Sequence, residues 1–296
     1  MTKKGKATKS PKSSGKPKSA AKGSVRAAMS IVRNTKRPVE ERVAAFPRAL
    51  MAVVENDEDL EAVLSVLRDR GELVDVRVAA LQTLQAATFS ALTYTSWRGD
   101  YIATLREVAE DPDPELRQRA LSILARNKDG FVQKKLLEGL ENAEKALLPP
   151  EKALQLLSYD IHAEAYPIAR AIVSKPPTPT AKREALRLLA ADAAAAPLFE
   201  KILRDKDELA EIRQISASAL QALKPDRLQT HAREILLDKS EYAEIQATSL
   251  TALTQFGDDA AIAKDAELLK SVDRLSGKAS TKIKQSARRF LGKFRR

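Results

Sequence analysis

The chain has 296 residues and 44% of them are apolar, yet it holds one Trp, five Tyr, seven Phe and ten Gly. An apolar share made mainly of Ala and Leu favours close-packed helices over a sheet and excludes a chain disordered throughout. Cysteine is absent, which excludes disulfides, thiolate metal sites, iron–sulfur clusters and thiol nucleophiles. The net charge of +11 is uneven: residues 1–38 carry twelve Lys or Arg and no acid, residues 274–296 carry nine and no acid, and the stretch between has 30 bases against 40 acids. A body built to wrap an anionic polymer would show the opposite balance.

In chain order, residues 1–24 read as a basic low-complexity disordered tail of Lys, Ser, Ala, Pro and Gly. No apolar leader stretch and no run of about 18 apolar residues occurs, so neither secretion nor a membrane span is expected and a cytoplasmic location is. Residues 25–38 are expected to form a short basic amphipathic helix, N-capped by Ser24 and stopped by Pro38, with Val25, Ala28, Met29 and Val32 on one face.

From residue 39 to 296 a repeat appears, a small–large pair followed three residues later by Leu. Arg77 precedes Ala80, Leu81 and Leu84; Arg117 precedes Ala120, Leu121 and Leu124; Lys182 precedes Ala185, Leu186 and Leu189. Pro150, Arg213, Gln246 and Lys284 hold the same place in later copies, and Arg42 with Ala45, Phe46 and Ala49 is a weaker first one. The anchors lie 35, 40, 33, 32, 31, 33 and 38 residues apart, the length of one helical hairpin. Each anchored segment is the second helix of a pair. A first helix with its own stripe lies upstream, such as Leu60, Val63, Leu64 and Leu67, or Leu228, Ala232, Ile235 and Leu236. Joints carry breakers, as in Asp111-Pro112-Asp113-Pro114 and Pro176-Pro177-Thr178-Pro179, and Gly71, Gly99, Gly130 and Gly257 are expected in connections. The fold class expected is all-α: a right-handed α-solenoid of about seven to eight hairpins.

Asp113-Pro114-Glu115-Leu116-Arg117 leading into Ala120-Leu121, and Val74-Asp75-Val76-Arg77 leading into Ala80-Leu81, resemble the turn and second helix of HEAT repeats. The resemblance covers residues 39–296 and implies structural, inter-repeat roles for Asp75, Arg77, Asp113 and Arg117. Pro150 and Gln246 depart from it at the basic anchor. Two enzymatic HEAT-type families can be tested against the residues. The deoxyhypusine hydroxylase type needs repeated His-Glu pairs for a di-iron centre, and here His162 and His231 are each followed by Ala. The alkylpurine DNA glycosylases use Trp, Asp and Arg on a basic face, for which Trp97-Arg98-Gly99-Asp100, placed at an inter-helix turn, is the comparable cluster.

No phosphate loop, Ser–His–Asp set or metal-ligand spacing is legible, and no cofactor is expected. Glu40-Glu41, Asp57-Glu58-Asp59 and Asp258-Asp259 are expected at helix starts, where carboxylates meet the positive end of the dipole. His162 and His231 are placed in first helices. The expected role is that of a non-enzymatic scaffold or adaptor binding a protein partner, and a DNA-binding protein or glycosylase is the alternative. Its groove would be lined by Gln82, Gln118, Ser122, Gln155, Arg183, Arg187, Gln214, Ser218 and Thr251, with a basic spot at Arg183 and Arg187. Lys3, Lys4, Lys6, Lys9, Lys12, Lys16, Lys18 and Lys22 either bind polyanions, DNA or RNA, without reading sequence, or only solubilise. The last helix, with Ile283, Ala287, Phe290, Leu291 and Phe294 on one stripe, is expected to cap the stack in preference to lying on a membrane.

Overall fold

The computed structural model describes residues 17–277 and 281–295. In chain order the helices are α1 (Pro17–Arg33), α2 (Val39–Glu55), α3 (Asp57–Arg68), α4 (Val74–Ala87), α5 (Ala91–Val108), α6 (Pro114–Arg126), α7 (Gly130–Glu141), α8 (Pro150–Leu157) and α9 (Ala165–Ser174). They continue as α10 (Pro179–Leu189), α11 (Ala196–Arg204), α12 (Ala210–Leu223), α13 (Pro225–Leu237), α14 (Ala243–Phe256), α15 (Asp259–Lys264), α16 (Ala266–Ser276) and α17 (Thr281–Phe294). No strand occurs among the described residues. The described residues fall into two compact units, divided between Leu124 and Ala125.

In the first unit α1 packs on α2 and α3 on α4, and the second helices α2 and α4 also pack on one another. In the other unit the pairs are α7 with α8, α9 with α10, α11 with α12, α13 with α14, and α16 with α17. Its second helices α8, α10, α12, α14 and α17 follow one another in contact. Each unit is a stack of tandem helical hairpins, the α-solenoid class expected from the anchor spacing. The expected second-helix core is in place: Ala80, Leu84, Ala120, Leu121, Leu124, Ala185, Leu186, Leu189, Ala217, Leu220 and Leu250 are fully buried, and Leu81 and Leu253 nearly so. Alanine on these helices lets neighbouring backbones approach, and leucine fills the layer between. Asp57, Glu58 and Asp59 stand in the first turn of α3, Glu40 and Glu41 in that of α2, and Asp258 caps α15.

Several local expectations fail. The first helix begins at Pro17, not after Ser24, and ends at Arg33, short of Pro38. Proline is preorganised for the first helical position, and packing of Ala28, Met29 and Val32 against α2 lets the helix extend upstream through Ala20 and Ala21. That helix is the first member of a pair with α2, so the stack starts before residue 39 and Arg42, Ala45, Phe46 and Ala49 form a complete buried copy. Gly99 and Trp97 lie inside α5, not in a connection. His162 lies in the loop before α9, whereas His231 is on α13 as expected.

The anchor residues explain the regularity. Nε of Arg42, Arg77 and Arg213 donates to a carbonyl ten residues upstream, that of Val32, Leu67 and Leu203, near the end of the first helix of the same pair. Their outer nitrogens reach an acid in the turn before the next second helix. Arg42 meets Glu72 at 2.5 Å, Arg77 meets Asp111 at 2.5 Å and Arg213 meets Glu241 at 2.6 Å. Lys182 keeps the link to the next turn through Glu208. Gln246 keeps the carbonyl contacts, to Ile235 at 3.4 Å and Asp238 at 2.9 Å. One side chain thus closes a helix end and ties its pair to the next.

Candidate functional site

The nine groove residues all fall on second helices, divided between the units. Gln82 is exposed on α4, and Gln118 and half-buried Ser122 lie on α6. In the unit from residue 125 onward, α8 carries Gln155, α10 Arg183 and Arg187, α12 Gln214 and Ser218, and α14 Thr251. Because these helices pack in succession, this second group forms one row. Gln155, Arg187 and Ser218 are exposed, and Arg183, Gln214 and Thr251 are half-buried.

Side-chain partners change how that row reads. The Glu184 carboxylate accepts from Arg187 at 2.8 Å and from Arg183 at 3.4 Å. Across to α12, Glu211 accepts from Arg183 at 3.3 Å and lies 3.9 Å from Arg187. The expected basic spot is therefore a four-membered cluster of zero net charge, fixed between two repeats. Gln214 donates to Ser218 at 3.2 Å and to Thr248 on α14 at 3.0 Å, so its amide is partly spent on packing the repeats together. Thr251 donates back to the Ala247 carbonyl and Ser122 to that of Gln118. The exposed uncharged hydrogen-bonding groups are Gln82, Gln118, Gln155 and Ser218, of which Ser218 accepts from Gln214 and Gln155 from Lys152 at 3.5 Å.

Other chemically suggestive groups do not converge on a reactive centre. Trp97 is 4% exposed and held edge-on between Tyr94, 5.0 Å away, and Tyr101, 5.6 Å away, whereas Arg98 and Asp100 face solvent. The indole is covered, so the Trp97-Arg98-Gly99-Asp100 segment offers no open face for a base. Burial pushes the Tyr101 hydroxyl well above its ordinary value. His231 is hydrogen-bonded to Glu200 at 2.6 Å, and Arg227 reaches the same carboxylate at 2.7 Å. The His231 contact first and that of Arg227 second hold Glu200 below the usual carboxylate range.

His231 also borders a cleft of about 310 Å³ with Lys206, Glu234, Asp238 and Glu241. Three of the charged groups there are paired with one another, Lys206 lying 2.7 Å from Asp238 and 2.6 Å from Glu241. Among the described residues no group of three or more His, Asp or Glu is placed to hold a metal ion. No helix among them is long and apolar enough to cross a membrane. Lys3, Lys4, Lys6, Lys9, Lys12 and Lys16 lie outside the described residues, and Lys18 and Lys22 fall on α1. Of the acids that neutralise Arg183 and Arg187, Glu184 is their neighbour in the sequence, whereas Glu211 stands 28 residues from Arg183 and is brought there by packing alone.

No protein-family model matches the chain, and no curated protein does. Similar solved structures include an engineered protein, 16% identical over 95% of this chain and 92% of that one, with a TM-score of 0.47. Human deoxyhypusine hydroxylase in complex with glycerol is 14% identical over 84% of this chain and 99% of that one, with a TM-score of 0.35.

Proposed function

We propose that the protein is a HEAT-type, non-enzymatic scaffold that holds a protein partner on its second-helix row. The observation that carries this reading is the row itself. Exposed Gln155 and Ser218 stand on packed, buried-core helices beside a charge cluster that is neutral as a whole. Uncharged amide and hydroxyl groups on a rigid frame suit hydrogen bonding to an extended peptide or a partner helix, and the frame loses little entropy on binding. A phosphate backbone would be met instead by repeated unpaired Lys or Arg in one column. A cytoplasmic location is part of the same proposal.

The test is affinity capture with the full chain. A stoichiometric protein partner is expected, lost in a Gln155→Glu, Ser218→Glu variant whose thermal midpoint is unchanged. Both positions are exposed, so loss of capture reports the surface and not the core. Undiminished capture by that variant removes the row from the reading. Reversing Arg183 and Arg187 is a poorer probe, because it breaks the contacts with Glu184 and Glu211 that join α10 to α12.

A further inference from the structure

The second helices of the stack usually carry their cations in pairs with acids, as Arg213 does with Glu241 and Arg183 with Glu211. Helix α17 departs from this. Its inner face is committed to the core: Ile283, Ala287 and Phe290 are fully buried and Phe294 is 5% exposed. At its C-terminal end Lys293 pairs with Asp259 at 2.9 Å and Arg295 with Asp273 at 2.6 Å. Lys282, Lys284, Arg288 and Arg289 have no acidic partner among the described residues, and all but half-buried Lys284 are exposed. At 100° per residue Lys284 and Arg288 form one ridge and Lys282 and Arg289 another, with Gln285 and Gly292 in the shallow strip between.

Gly292 is the second observation. Glycine inside a helix is less favourable than alanine, yet a Cβ built at Gly292 would meet nothing within 4 Å. Nothing within the protein requires the missing side chain. Open space of this kind is found at Gly99 and Gly130 too, but at Gly292 it lies between two cationic ridges, where the missing side chain leaves room for a ligand backbone to approach the helix. We propose that the outward face of α17 binds the phosphodiester backbone of a nucleic acid without reading its bases. The aromatic side chains of α17, Phe290 and Phe294, face inward, which leaves charge neutralisation and counterion release as the source of affinity. The same burial argues against a membrane-surface helix, since the apolar stripe is not free to enter lipid. This face continues the same succession of second helices, Arg289 holding on α17 the place that Gln155 and Ser218 hold on α8 and α12, but the proposal does not require that the row bind a protein.

Fluorescence anisotropy of the full chain with a 20-base-pair duplex, as DNA and as RNA in separate arms, tests the proposal across a salt series. Engagement by four cations gives a slope of log K against log salt of about −3 to −4 from this face. Replacing Lys282, Lys284, Arg288 and Arg289 with Gln should remove that part of the slope and weaken binding at low salt at least tenfold. Gly292→Gln, which leaves charge unchanged, should weaken binding several-fold with the slope intact and the thermal midpoint unchanged or raised. A full chain with Lys3, Lys4, Lys6, Lys9, Lys12, Lys16, Lys18 and Lys22 changed to Gln should keep the α17 share. The proposal is overturned if the α17 variant binds with wild-type affinity and slope, if wild type binds neither duplex, or if wild type prefers phosphatidylserine vesicles to both.

Discussion

Arg213 is 2% exposed and still makes three directed contacts, one to the Leu203 carbonyl and two to Glu241. Burial alone would raise the Glu241 carboxyl, but hydrogen bonds from Arg213 and Lys206 outweigh it and hold the group below its ordinary value. Truncating Arg213 to Met should cost about 3 kcal/mol in urea unfolding, because a buried carboxylate loses its main partner. Changing Arg213 and Glu241 together to Met should recover most of that loss, and a double-mutant cycle measures the coupling. Glu72 and Asp111 share the depressed direction. A carboxyl whose folded pKa lies below its unfolded value adds stability above the unfolded value, and loses it as pH falls through the folded one. The thermal midpoint should therefore fall as pH drops below about 4, and less steeply in Glu241→Gln. Thr104 is fully buried and its hydroxyl has no hydrogen-bond partner among the described residues. Thr104→Val should be neutral or stabilising by up to about 1 kcal/mol, and a clear loss of stability would show that the hydroxyl is satisfied in solution.

At the level of single elements, caps and stripes decide what a helix contributes. Asn56 ends α2 and starts α3, where its side chain accepts from the backbone N–H of Glu58 at 2.8 Å and Asp59 at 3.2 Å. Asn56→Ala should cost about 1 kcal/mol, read as a lowered urea midpoint. Helix α17 packs on α14 and α16, with Ile283, Phe290 and Phe294 in one cluster with Leu250, Leu253, Leu268 and Val272. Phe290→Ala should cost about 3–5 kcal/mol, and removal of residues 282–296 should increase hydrogen exchange in α14 and α16. Unchanged exchange after that deletion would count against a capping role.

Over the whole molecule, function follows from what the surface leaves unpaired. The body is net acidic by sequence, yet many of its acids are spent on stacking, as in the links from Glu72, Asp111, Glu208 and Glu241. A stack whose stability is a sum of neighbouring contacts can hold an extended binding row without a catalytic cavity. The full chain is accordingly expected to release no base from an alkylated duplex, since Trp97 is covered by Tyr94 and Tyr101. Base release abolished by Asp100→Asn would overturn the scaffold proposal.

The second helices and their buried Ala–Leu core were legible in the sequence, because the hydrophobic period and the anchor spacing are local properties that survive without a template. Much of what gives the surface its character was not. Periodicity placed Trp97 at a turn on the strength of Gly99, but a glycine in an open, exposed position ends no helix by itself, and α5 runs through it. Composition put a basic spot at Arg183 and Arg187, and only the packing of α10 against α12 supplied the acid 28 residues from Arg183 that neutralises it. The acids that meet the buried arginines, Glu72 and Asp111, stand a few residues before the Asp75 and Asp113 that the motif suggested. The sequence by itself determined the second helices and the Ala and Leu positions they bury. Which charges remain free was decided by tertiary structure, because ion pairing depends on distances between repeats that spacing along the chain does not specify.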